Sequence, residues 1–247
     1  MYSKINDLNI YYQKVGRGKD LIMLHGWGMD VSTFWPAIDF LKDNFTLWLI
    51  DLPGFGRSDI PKKACDSEDY AKILAEFIKN NNIKKPFLLG HSFGGKVSIK
   101  LTAIHPNLVD KLILVGSSGL KPDPSIKRVL IYPLAKIFHF LIPDIFNIKS
   151  LIRKKFYRKI ESDYYNVGVM KDTLVKTLNE DLTQDLKKIN TQTLIICGEK
   201  DRAVPIKYGK RMYQLIKNSK LISLEDKGHF LHIYDPERFA YYIKDFS

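Results

Sequence analysis

Residues Lys85 to Gly95 constrain the fold of this chain more than any other stretch. Phe87, Leu88 and Leu89 make a short apolar run of strand type behind Pro86, and Val97, Leu101 and Ile104 then recur at helical spacing. Between them lies Gly90-x-Ser92-x-Gly94, which predicts a tight turn. Glycines at both flanks let strand and helix approach closely, and the central residue sits in a strained conformation that lifts its side chain clear. A serine hydroxyl is a weak nucleophile at neutral pH, so chemistry here needs a histidine to take the proton and an acid to orient that histidine. The plainer alternative is a serine that only caps the helix.

Leu21–Leu24, Phe45–Ile50, Leu112–Val115 and Thr193–Cys197 are apolar runs without polar alternation, the mark of strands buried on both faces. Leu221–Leu224 adds a last strand. Phe34, Ile38 and Leu41 fall at helical spacing, as do Tyr70, Ile73, Leu74, Phe77 and Ile78 behind a Ser67 cap. Asp235-Pro236-Glu237 starts a final helix carrying Phe239, Ile243 and Phe246. Residues 2–15 alternate around a turn at Asn6-Asp7, which suits an antiparallel hairpin at a sheet edge. The expected class is α/β: a mostly parallel sheet with helices on both faces. Residues 121–182 break the pattern, with Leu130, Leu134, Ile137, Phe138 and Leu141, then the basic run Arg153 to Lys159, then Met170, Leu174 and Leu178. We expect a core of residues 1–120 and 183–247 and a helical lid, 121–182, over the sheet edge where such folds bind ligands.

At 247 residues one elaborated domain is the simpler reading, and 45% hydrophobic with 12% aromatic residues leaves no room for a long disordered tail. The most apolar segment, Val129 to Ile148, is interrupted by Lys136, His139, Asp144 and two prolines, so no membrane span is expected. Met1 to Asp7 lacks an apolar run with a cleavage site, which predicts a cytoplasmic protein. Cys65 and Cys197 read as buried thiols, not a disulfide. The net charge of +12 raises the possibility of a polyanion partner. Lys, Ile and Asn are abundant throughout, however, which suits a compositional origin of the charge, and no nucleic-acid partner is expected. A G-x-G-x-x-G after a strand, a P-loop and a histidine pair at ligand spacing are all missing from the sequence, so neither cofactor nor metal is expected.

Four motifs in order complete the reading: His25-Gly26-Trp27-Gly28, Gly90-His91-Ser92-Phe93-Gly94, the run from Gly198 to Pro205, and Gly228-His229-Phe230. Together they resemble the α/β-hydrolase family over essentially the whole chain apart from the insert. The resemblance implies an eight-stranded sheet with a helical cap after the sixth strand, and a triad in the order nucleophile, acid, base. Ser92 would be the nucleophile, Asp201 the acid and His229 the base. Glu199 competes with Asp201, and His232 with His229. The acid followed shortly by Val-Pro favours Asp201, and no carboxylate stands at Gly116-Ser117-Ser118, the family's other place for it. The backbone N–H groups of Trp27 and Phe93 would form the oxyanion hole. Their side chains, with Leu134 and Phe138 of the insert, would line the acyl pocket, unless the two aromatics are ordinary core. Asp51 to Asp59 reads as a structural loop.

A serine at the nucleophile position excludes the alkyl-transfer chemistry of related haloalkane dehalogenases and epoxide hydrolases and leaves acyl transfer to water. The leading expectation is hydrolysis of carboxylic esters of short or medium acyl chains through an acyl-enzyme. The alternatives are a lactonase, acyl-homoserine lactones included, and a methyl esterase for carrier-protein-bound acyl groups, since the segment around His25–Gly28 is similar to the pimeloyl methyl esterases. Carbon–carbon bond hydrolysis and non-catalytic binding on the same fold stand behind these. The partner is then a small-molecule ester or lactone. An acidic carrier protein joins it if Arg153 to Lys159 forms a rim and not merely a solvated basic face. Oligomeric state is left open.

Overall fold

The computed structural model describes residues 1–121 and 167–247. Within them, β1 (Tyr2–Ile5), β2 (Leu8–Gly16), β3 (Lys19–Leu24), β4 (Phe45–Ile50), β5 (Phe87–His91), β6 (Lys111–Val115), β7 (Gln192–Gly198) and β8 (Ser219–Leu224) form one sheet. Its order is β1-β2-β4-β3-β5-β6-β7-β8. β1 and β2 make a hairpin, β2 runs antiparallel to β4, and the remaining pairings are parallel. A 3-10 turn at Val31–Phe34 leads into α1 (Trp35–Leu41), followed by α2 (Ser67–Asn80), α3 (Phe93–Ile104), α4 (Val167–Asn179), α5 (Thr183–Lys188), α6 (Ile206–Leu215), α7 (Leu231–Tyr234) and α8 (Pro236–Phe246).

Successive side chains of a strand point to opposite faces, so the continuous apolar runs supply two cores at once. Leu21 and Met23 of β3, Ile113 of β6 and Leu194 of β7 pack with Leu41 of α1 and with Phe239 and Ile243 of α8. Their neighbours Ile22, Leu24, Leu112 and Ile195 face the other way, onto Tyr70 and Phe77 of α2, Val97 of α3 and Met212 of α6. Each fully buried side chain of this kind stabilises the fold by roughly 1.5–3 kcal/mol, which is why neither face tolerates polar alternation.

The cap of α2 corrects the sequence reading. Asp66, in extended backbone, accepts hydrogen bonds from the N–H groups of Glu68 and Asp69, while the Asp69 carboxylate accepts from the Asp66 N–H. This reciprocal capping box moves the cap one residue ahead of Ser67, which becomes the first helical residue. Cys65 and Cys197 are free and buried. Among the described residues no helix is long and apolar enough to cross a membrane.

The connection from β6 to β7 carries α4, which holds Met170, Leu174 and Leu178 in a helix as expected. Leu130–Leu141, including the expected pocket residues Leu134 and Phe138, and the expected basic rim Arg153 to Lys159 lie outside the described residues. The chain leaves β6 through Gly119, whose carbonyl oxygen accepts a hydrogen bond of 2.8 Å from the N–H of Leu182.

Candidate active site

β5 ends at His91, and Ser92 takes φ 52° and ψ −112° before α3 begins at Phe93. Positive φ is strained for a residue with a side chain, and such strain persists only where surroundings over-determine it. Here the Ser92 N–H donates to Val115 O (3.1 Å), while Ser92 O accepts from the N–H groups of Gly95 and Ser118 and from the Ser118 hydroxyl, each at 3.1 Å. A side chain at Gly90 would overlap the Gly94 carbonyl, and one at Gly94 would overlap that of Leu24. Only glycine at both positions lets strand, turn and neighbouring strand close to this distance.

Asp201 follows β7 and is 5% exposed. Its Oδ1 accepts hydrogen bonds from the N–H groups of Ala203 and Val204, both at 2.8 Å, and its Oδ2 lies 2.7 Å from His229 Nδ1. The carboxylate is therefore oriented by its own loop before it meets the imidazole. With Nδ1 donating to Asp201, Nε2 of His229 is the basic nitrogen. His229 sits on the loop between β8 and α7.

The competitors lie elsewhere. Glu199 is exposed and accepts from the Ser223 hydroxyl on β8. His232 is fully buried, with Nε2 2.9 Å from Thr33 Oγ1 and its ring against Phe34 and Phe239. Burial first, and then the charge of a protonated His229, push its pKa down to about 3. Burial likewise lowers His25 to about 4, where Nε2 accepts from the Leu52 N–H (3.0 Å) and Nδ1 donates to Gly26 O (2.8 Å). His25 is thus a neutral strut of its turn. Its carbonyl accepts from the Gly94 N–H (3.1 Å), which draws the Trp27 loop to the start of α3, next to Phe93.

Trp27 is half-buried and Phe93 buried. Their rings meet edge to face at 5.1 Å, and Phe55 joins them 4.8 Å from Trp27. Met170 of α4 lies over Gly54, beside Phe55. Phe55 and Met170 were not singled out for the site from sequence; a lone aromatic in the glycine-bounded loop after β4 was the available signal. Asp51, at the head of that loop, accepts from the N–H groups of Val31 (2.7 Å) and Arg57 (2.8 Å), and burial raises its pKa to about 6. It pins the loop. Among the described residues no cluster of His, Cys, Asp and Glu is arranged to hold a metal ion.

A family model described as alpha/beta hydrolase fold matches residues 20–236. The chain is 29% identical to a pimeloyl-[acyl-carrier protein] methyl ester esterase of Wigglesworthia glossinidia brevipalpis, over 96% of this chain and 98% of the relative. It is 28% identical to a 2-hydroxy-6-oxononadienedioate/2-hydroxy-6-oxononatrienedioate hydrolase of Pseudomonas putida, over 97% and 92% of the two chains. A crystal structure of a serine hydrolase involved in carbazole degradation superposes with TM-score 0.81 at 24% identity, covering 100% of this chain and 97% of the other, a likeness of fold. The chain belongs to the alpha/beta hydrolase fold family.

Proposed function

We propose that this chain is a carboxylic ester hydrolase in which Ser92, Asp201 and His229 act as nucleophile, acid and base. The observation that carries the reading is a half-buried serine held at positive φ on the strand-to-helix turn, together with an imidazole whose Nδ1 lies 2.7 Å from a carboxylate already held by two N–H groups. His229 Nε2 takes the Ser92 proton as Oγ attacks the acyl carbonyl, and Asp201 stabilises the imidazolium. The N–H groups of Phe93 and Trp27 receive the oxyanion, each worth a few kcal/mol in the transition state. The alcohol leaves with the His229 proton, and water attacks the acyl-enzyme by the same route in reverse. The expected cap is represented among the described residues by α4, and the contact of its Met170 with Gly54 supports a role for that helix beside the site. Trp27, Phe93 and Phe55 wall the acyl side for short or medium chains.

A methyl ester on an acyl group bound to an acidic carrier protein is a second reading, favoured by the relative of that name and by a net charge of +12. An ester and lactone panel of graded chain length, run beside fluorophosphonate labelling, tests both. Ser92→Ala should abolish labelling and lower kcat on an activated ester by at least about 10⁴-fold. A folded Ser92→Ala protein with a tenth of the activity would remove the assignment.

A further inference from the structure

The relay leaves one buried ring beside His229 without a task. His91 is fully buried, and its Nε2 lies 3.0 Å from the backbone oxygen of His229. A carbonyl only accepts, so Nε2 carries the proton. Nδ1 is then a bare acceptor, and it has no hydrogen-bond partner. The ring stands 4.6 Å from that of His229 and 4.3 Å from that of His232, which Thr33 holds from below. A buried nitrogen without a partner destabilises a fold, so an apolar residue would serve better if this position only filled space. Burial, followed by the neighbouring His232 and His229, holds His91 well below the ordinary histidine range, and it does not compete for the Ser92 proton.

We propose that His91 is a positioning residue, tying the strand end that carries the nucleophile to the backbone that carries the base. Because His91 precedes Ser92 directly, one hydrogen bond fixes the base loop relative to the attacking hydroxyl, across 138 residues of sequence. Reaction rates fall steeply when reacting groups are misplaced by even 1 Å. The inference rests on Ser92 and His229 being nucleophile and base.

The test compares His91→Leu, which removes the donor, with His91→Gln, whose amide reaches the same carbonyl. His91→Leu should lower both kcat and the fluorophosphonate labelling rate by at least about 30-fold, with KM changed less than about threefold. His91→Gln should recover both to within about fivefold of wild type. If the leucine variant does not fold, His91→Asn, whose shorter amide falls short of the carbonyl, takes its place with the same expectation. Equal losses in the glutamine variant and the donor-lacking variant, or wild-type rates in a folded donor-lacking variant, would overturn the positioning role. Wild-type protein that resists labelling would instead overturn the nucleophile assignment, and the inference with it.

Discussion

Three neutral imidazoles, His25, His91 and His232, are fully buried around the site, and each must be protonated when the chain unfolds in acid. His25 falls from 6.5 to about 4 and His232 from 6.5 to about 3, so between pH 6.5 and 4 the unfolded chain binds more protons and stability is lost as pH falls. Each contributes roughly 3 kcal/mol over that window. Asp51 opposes them: its pKa rises from 3.8 to about 6, so the folded state binds the extra proton and gains roughly 3 kcal/mol as pH drops from 6 to 4. Histidines outnumber the carboxylate, and Tm should decline between pH 6.5 and 4. Calorimetry across that range checks the sign, and His232→Gln should flatten the slope. A Tm that stays level or climbs in acid contradicts the balance. At this scale the motif residues were legible because each motif is local: Ser92 announces itself by its glycines and Asp201 by the Val-Pro that follows. The contact of His91 with His229 was not, because no local pattern reports on a partner 138 residues away.

Helix α4 is joined to the core by a buried polar cluster. Lys96, 4% exposed on α3, donates to the Thr177 backbone oxygen and lies 3.5 Å from Glu180, and burial lowers its pKa against the pull of that carboxylate. Glu180 Oε1 also accepts from the Ser67 N–H (2.8 Å), one of the unpaired donors at the start of α2. One carboxylate thus serves two helices. Glu180→Ala should destabilise the protein by about 3–5 kcal/mol because it strands a buried charge. Lys96→Met in the same background should recover a large part of that loss, a comparison made by urea unfolding. If the double variant is no more stable than Glu180→Ala alone, the pair does not act as a unit. The sequence reading missed this cluster and misplaced the α2 cap for one reason. Asp66 and Ser67 are both good cap residues, and only the extended backbone at Asp66 and the distant Glu180 separate them. The inner strands were legible to within about two residues of their ends, since a run buried on both faces leaves a continuous apolar signature, while the polar end residues such as Lys19, Lys111 and Gln192 carry none.

At the scale of the molecule, the bond from the Leu182 N–H to the Gly119 carbonyl, 2.8 Å long, joins the segment that leaves β6 to the start of α5, the helix that precedes β7. For the rest of the chain, everything between those two residues is a detour that begins and ends at one place. Closing a loop costs only about 0.6 kcal/mol more for each doubling of its length, so the core is nearly indifferent to how long the detour is. This makes the junction an exchangeable socket. Residues 121–181 should be replaceable by a short Gly-Ser linker, provided Lys96 becomes Met to avoid leaving its charge unpaired. The shortened chain should remain folded by circular dichroism and still react with a fluorophosphonate, while its ranking of ester chain lengths changes. An unchanged ranking would mean that the detour plays no part in substrate choice, and a chain that fails to fold would mean that the socket is not self-sufficient. A lineage built on such a junction can trade one substrate for another by swapping a single segment, with the machinery beneath it left as it was.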